Sequence, residues 1–229
     1  MKETTEEAHE EKKREIAIPG EAIVKGKEYL PGEGTRREGE EIVANRFGLA
    51  DVSGRLVKVI PLTGSYIPRI GNVIIGRVFD INFNGWMVDI KAPNQAFLLA
   101  SDISRYLRGE LTDYYDVGDV FACKIVEIKP KGIDLTIRAP GLGKLENGII
   151  IHINPNKVPR VIGREGSMIK LIKQETNCDI VVGQNGVVWI SGKKIEDELK
   201  AKEAIIFVVN KSFVEGLTEQ LNKWFREKK

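Results

Sequence analysis

Gly163 and Gly166, spaced as Gly-x-x-Gly, sit in the most lopsidedly basic stretch of this chain. Residues 157–173 carry five basic side chains (Lys157, Arg160, Arg164, Lys170, Lys173) against one acid, Glu165. Glycine lets a backbone turn tightly and leaves no Cβ between that backbone and a ligand. A helix starting here, with Ser167 as its N-cap, points free N–H groups and its positive dipole end at the loop. Such a loop suits a phosphate-bearing partner. Ile162, Gly163, Arg164, Glu165, Gly166, Lys170 and Lys173 are therefore candidate contacts. Glu165 counts against the reading, because it puts a carboxylate where phosphate would pass. The plainer alternative is that the two glycines only turn the chain between packed helices.

Signs of catalysis are sparse. The two histidines, His9 and His152, stand in a charged tail and in a strand. No Cys/His group has zinc-ligand spacing, and there is no phosphate-binding P-loop or nucleophile elbow. Asp80, Asp89, Asp113 and Asp116 are scattered in the manner of surface carboxylates. The expectation is a protein that is not an enzyme and holds no metal or cofactor. Cys123 and Cys178 fall in separate strands and read as reduced structural thiols. No apolar run reaches the roughly 18–20 residues that span a bilayer, and Met1–Arg14 lacks the apolar core of a secretory signal. A cytoplasmic location with no membrane contact is expected.

The elements that must position these residues are legible from pattern. The formal net charge is only +2 over 229 residues, but it is unevenly spread. Residues 1–65 hold 11 basic and 13 acidic groups, 66–140 hold 9 and 9, and 141–229 hold 15 and 11. Residues 1–15 read as a solvated tail. Residues 16–65 read as a small β domain, with strands at 22–24, 41–46 and 56–62 between Pro/Gly turns. Residues 66–140 show five strands (73–80, 86–90, 97–100, 119–129 and 133–138) with one long insertion after the third, the plan of an OB barrel. Residues 141–229 read β-α-α-β-β-α. Asn185-Gly186 marks a hairpin turn, and a long amphipathic helical stretch from 195 to 226 is interrupted near Gly216. The fold class expected is mainly β with an α+β part.

The run Val161-Ile162-Gly163-Arg164-Glu165-Gly166-Ser167-Met168-Ile169, set between two short helices, resembles the KH-domain signature of type I. The resemblance covers 148–210. It implies single-stranded RNA clamped at the backbone by the loop, with bases on an apolar groove involving Ile162, Ile169 and Ile180. Gly76-Arg77-Val78, Gly85, Val88-Asp89-Ile90, Ser101-Asp102-Ile103, Val117-Gly118-Asp119 and Leu135–Arg138 resemble an S1-type OB fold. The positions where that family exposes stacking aromatics are taken here by Asn84, Met87 and Leu99, so weak or guiding contact with RNA is expected. Strand alternation assigns Trp86 to the core or to an inter-domain contact, and Phe97 reads as core. Lys91, Arg105 and Arg108 are the candidate backbone contacts of this domain, with solvated charge as the alternative.

A β domain with Ile18-Pro19-Gly20, followed by this OB domain and one KH domain, resembles the RNA-binding cap subunits of the archaeal exosome. Val59–Leu62, Tyr66–Gly71 and Ile75–Val78 join the first two domains as in that family. The resemblance implies three copies on a ring of RNase PH-like subunits. The β domain would dock on the ring, and single-stranded RNA would be guided to phosphorolytic 3′-to-5′ degradation inside it. The competing readings are a translation or transcription factor built from the same modules, and a free-standing nuclease.

Overall fold

The structure, a computed structural model, describes residues 15–103, 110–212, 214 and 216–228. Residues 1–14 of the expected tail lie outside the described residues, and so do Arg105 and Arg108. The chain divides into two compact units, Met1–Thr63 and Gly64–Lys229.

The first unit contains β1 (Ile16–Ala17), β2 (Ala22–Lys25), β3 (Leu30–Pro31), β4 (Thr35–Glu38), β5 (Glu41–Ala44), β6 (Gly48–Ser53) and β7 (Leu56–Pro61). One sheet has the order β1-β6-β7-β3 and the other β2-β5-β4. The Thr35 hydroxyl, on β4, donates to the Val57 carbonyl on β7 at 3.0 Å and so ties the two sheets together. The core is small, built around Ala17, Ala44 and Val59. Ile16, Ile18, Leu30, Phe47 and Leu56 remain exposed. β1 and β3, two residues each, are too short to show alternation, and β4 and β6 were not expected either.

In the second unit, β8 (Val73–Asn82), β9 (Gly85–Asp89), β10 (Ala96–Leu99), β11 (Val120–Lys129) and β12 (Gly132–Thr136) form a closed barrel. β10 and β12 pair in parallel, and β11 pairs with both β8 and β12 to close it. Trp86 fills the interior at 1% exposure. Its Nε1 donates to the Tyr115 carbonyl at 2.8 Å, and its ring packs edge-on against Tyr115 at 5.6 Å. Phe97 departs from expectation. It lies on the opposite face from buried Ala96 and Leu98, half-buried over Gly132. After β10 comes the short α1 (Ala100–Ile103). The Asp102 carboxylate accepts from the Thr136 hydroxyl and the Ile137 amide, both at 2.8 Å, and so fastens this turn to the end of β12. β13 (Gly143–Lys144) adds a last short pairing to β11.

The remainder is β14 (Ile149–His152), α2 (Val158–Ile162), α3 (Ser167–Thr176), β15 (Asp179–Val182), β16 (Val187–Ser191), α4 (Ile195–Asn210) and α5 (Leu217–Glu227). The antiparallel sheet has the order β14-β16-β15, which with β-α-α-β-β-α connectivity is a type I KH domain. Met168, Ile172, Ile180, Val188, Ile190 and Ile205 are among its buried side chains. The long helical stretch is broken: α4 ends at Asn210 with Lys211 as its C-cap, and α5 starts after Gly216, its N-cap at a left-handed φ of 64°. α5 then buries Leu217, Leu221 and Phe225, one stripe at helical spacing.

Candidate nucleic-acid interface

α2 ends at Gly163, which has φ 76°. A Cβ there would lie 2.8 Å from the Met168 amide nitrogen, so packing against α3 requires glycine at this position. Gly166 differs. Its φ is 77°, but a Cβ would make only ordinary contacts with Lys170 and Ile169. Glu165 between them is also left-handed, at φ 50°, and is exposed. The N-cap of α3 is Gly166 rather than Ser167, and no side chain caps the helix. Ser167 is the first helical residue, and its own amide donates to the Arg164 carbonyl, so an outside acceptor would meet the amides that follow it.

Arg160, Arg164 and Lys170 are exposed around this loop, and Lys173 is half-buried. Lys157 is engaged elsewhere, its Nζ donating to the Val209 carbonyl on α4 at 3.0 Å. Ile162 and Ile169 are half-buried and can offer an apolar surface. Ile180, expected in the same groove, is instead 3% exposed within the core.

The outer side of the barrel carries Asn84, Met87 and Leu99, the residues expected in place of stacking aromatics. Asn84 is exposed at the β8–β9 turn, and its carbonyl accepts from the Ala100 amide at 2.8 Å. Met87 is half-buried, with Asp80 and Phe97 as its cross-strand partners. Leu99 is exposed. Beside them stand two phenylalanines that sequence reasoning passed over, Phe83 at 92% and Phe79 at 46% exposure. Phe79 is the extra residue of a β-bulge between Val78 and Asp80, and a bulge re-aims a side chain. Lys91, at φ 59°, is ion-paired to Asp89 at 2.7 Å. Burial pushes the Asp89 carboxyl up. Hydrogen bonds from the Lys91 side chain and amide, with the charges of Lys91 and Arg77, outweigh it and hold the group below the usual carboxylate range.

The KH domain is locked onto the barrel by the turn read as Asn185-Gly186. Asn185 is 4% exposed. Its Nδ2 donates to the carbonyls of Ile75 at 2.8 Å and Ile90 at 3.0 Å, and its Oδ1 accepts from the Ile75 amide at 3.3 Å. Gln184 Oε1 accepts from the Val73 amide at 3.1 Å, and its own amide donates to the Val73 carbonyl. A Cβ on Gly183 would come within 2.8 Å of the Ile75 nitrogen, so the close approach of the two backbones needs glycine there.

The KH domain family matches residues 148–207, and the family described as RRP4, S1 domain, matches residues 65–108. The exosome complex component Rrp4 of Methanothermus fervidus is 39% identical, over 93% of this chain and 96% of its own. That of Pyrococcus abyssi is 42% identical, over 91% and 81%. The chain belongs to the Rrp4 family. A crystal structure whose own description proposes an exosome complex RNA-binding protein superposes with a TM-score of 0.65 at 32% identity, over 72% of this chain and 97% of that one.

For this Rrp4-family chain, the structure brings the KH candidates Ile162–Gly166, Lys170 and Lys173 around one loop. It puts Asn84, Met87 and Lys91 on the barrel's outer side. Among the described residues no group of three His, Cys, Asp or Glu is gathered as metal ligands, and no helix is long and apolar enough to cross a membrane. Asn185 was missed as an anchoring residue because its partners are about 100 residues away. Phe83 could have been found, since a phenylalanine beside Asn84-Gly85 at a hairpin tip has little to pack against.

Proposed function

We propose that this chain is a non-catalytic RNA-binding cap component of an exosome, capturing single-stranded RNA and guiding it to a phosphorolytic 3′-to-5′ ring of RNase PH-like subunits. The observation that carries the reading is the KH loop, with no close contact at Gly166, no side chain capping α3, and Arg160, Arg164 and Lys170 exposed around it. Backbone amides and point charges hold phosphates without reading sequence, which suits an RNA that must slide. Ile162 and Ile169 offer the bases a surface, and Phe83 and Phe79 give the barrel stacking faces that Asn84 and Met87 do not. Arg105 and Arg108 keep their proposed role as backbone contacts. The first unit supplies the docking surface on the ring. Its exposed Leu30 and Leu56 are register partners on β3 and β7, and exposed apolar clusters mark interaction sites. Three copies on one ring raise the effective concentration of weak sites for a shared RNA. The protein acts in the cytoplasm.

Single-site binding of a labelled oligoadenylate by the full chain tests the RNA reading. Gly166→Asp puts a carboxylate into the loop at a left-handed φ of 77°, which aspartate adopts more readily than most side chains. It should weaken binding roughly 10- to 150-fold, the value of one charge-assisted hydrogen bond. Gly163→Asp is a poorer probe, because it also breaks packing against Met168. Purified chain should leave the RNA intact with or without phosphate and divalent metal; cleavage would return the nuclease reading.

A further inference from the structure

Between the outer face of β8–β9 and the KH sheet runs a cleft of about 150 Å³. Arg77, Asp89 and Lys91 line it from the barrel, and Ile150 and His152 from β14. Its walls are fixed relative to each other, because Asn185 bonds to the backbone of Ile75, which also lines the cleft. A site with fixed walls loses little ordering entropy on binding.

The side chains of Arg77 and His152 are exposed, and neither makes a hydrogen bond to a described residue, although the Arg77 charge also acts on Asp89. Lys91 is partly neutralised by Asp89. With Arg77 and Lys91 positive and Asp89 negative, the charged side chains of the cleft leave it net positive. Phe79, the bulge residue two positions beyond Arg77 on β8, is exposed at 46%.

We infer that this cleft is a phosphodiester-binding subsite for single-stranded RNA, in which Arg77 and His152 hold a phosphate, Lys91 adds charge, and Phe79 stacks the adjoining base. It rests on the RNA-capture reading but uses a surface separate from the Gly163–Gly166 loop. A free phosphate or a mononucleotide would meet the same charges. A strand alone supplies both the phosphate and a base displaced along β8.

The test is fluorescence anisotropy of the full chain with a labelled oligoadenylate of about a dozen nucleotides, within the range one OB fold covers, across a salt series. Arg77→Ala should weaken binding and lower the log–log salt slope by about 0.7, the share of one phosphate contact on a single strand. Phe79→Ala should weaken it on the order of 5- to 150-fold without changing the slope. Asp89→Asn keeps an acceptor for the Lys91 amide but releases the Lys91 charge, so it should tighten binding and steepen the slope. Circular dichroism of these surface variants should match wild type. Unchanged binding by Arg77→Ala and Phe79→Ala, with Gly166→Asp still defective, overturns the cleft and leaves the KH reading standing. A wild-type chain that binds no RNA overturns both. Inorganic phosphate or AMP displacing the oligonucleotide as effectively as unlabelled RNA overturns strand recognition and assigns the cleft to a free anion.

Discussion

Replacing Asn185 by alanine removes three hydrogen bonds that join the KH turn to the barrel, two donated by Nδ2 and one accepted by Oδ1. The site is buried, so water does not readily replace them. At about 1 kcal/mol net for each, with an added cost for any group left unpaired, the loss is about 2–4 kcal/mol. For a unit of this length that corresponds to a fall in Tm of roughly 5–15 °C. Urea melts followed by tryptophan fluorescence read it directly, because Trp86 reports the barrel while Trp189 and Trp224 report the KH domain. Asn185→Asp separates lost packing from lost hydrogen bonding. It turns a carboxylate toward the carbonyls of Ile75 and Ile90, so at neutral pH it should destabilise more than alanine. Gln184→Ala, which removes one exposed acceptor of the Val73 amide, should cost less than about 1 kcal/mol. An Asn185→Ala variant within about 0.5 kcal/mol of wild type, the range of an ordinary surface change, would refute the reasoning, and so would an aspartate variant milder than the alanine one.

Trp86→Phe removes the Nε1 bond to the Tyr115 carbonyl and part of a buried ring; the urea midpoint should report a loss of about 1–3 kcal/mol. Phe83→Ala, at the exposed hairpin tip, should leave stability within about 0.5 kcal/mol of wild type while weakening RNA binding in the anisotropy assay. Stability should also depend on pH through Asp119. Burial pushes its carboxyl up, but the Lys144 ammonium at 2.7 Å, the Asp116 amide and the Lys144 charge hold it below the usual carboxylate range. A carboxyl depressed in the folded state contributes stability that is complete above its unfolded value, about 3.9, and is lost as pH falls through the lower folded value. The Tm difference between wild type and Asp119→Asn should therefore be constant at neutral pH and shrink as pH drops below about 4.

The barrel and the KH domain were legible because their strands are long enough to alternate and their turns carry Gly, Pro or Asn-Gly. β8, β9, β11 and β12 fall within a few residues of their expected spans for that reason. The first unit was less legible: β1 and β3 are two residues long, and Thr35 joins the sheets through a hydroxyl that sequence alone marks only as a turn neighbour. In the interface, local chemistry was readable and long-range chemistry was not. The Gly163–Gly166 loop shows in sequence because its glycines and charges are contiguous. The helix cap was assigned one residue late, because Gly166 takes the cap conformation itself and Ser167 is already helical. Phe79 was hidden by the bulge, which upsets the two-residue period that assigns faces. Asn185 carries two roles, a turn residue by its neighbours and a domain anchor by its partners, and only the first is written locally.

The central claim is that this Rrp4-family chain serves as an RNA-capturing subunit of a nuclease assembly rather than acting alone. Native mass spectrometry of the full chain mixed with a reconstituted RNase PH-like ring tests it most directly. Three chains per hexameric ring, with RNA held more tightly by the assembly than by the free chain, is the predicted result. A chain that stays apart from the ring, or binds RNA equally well alone, would contradict it.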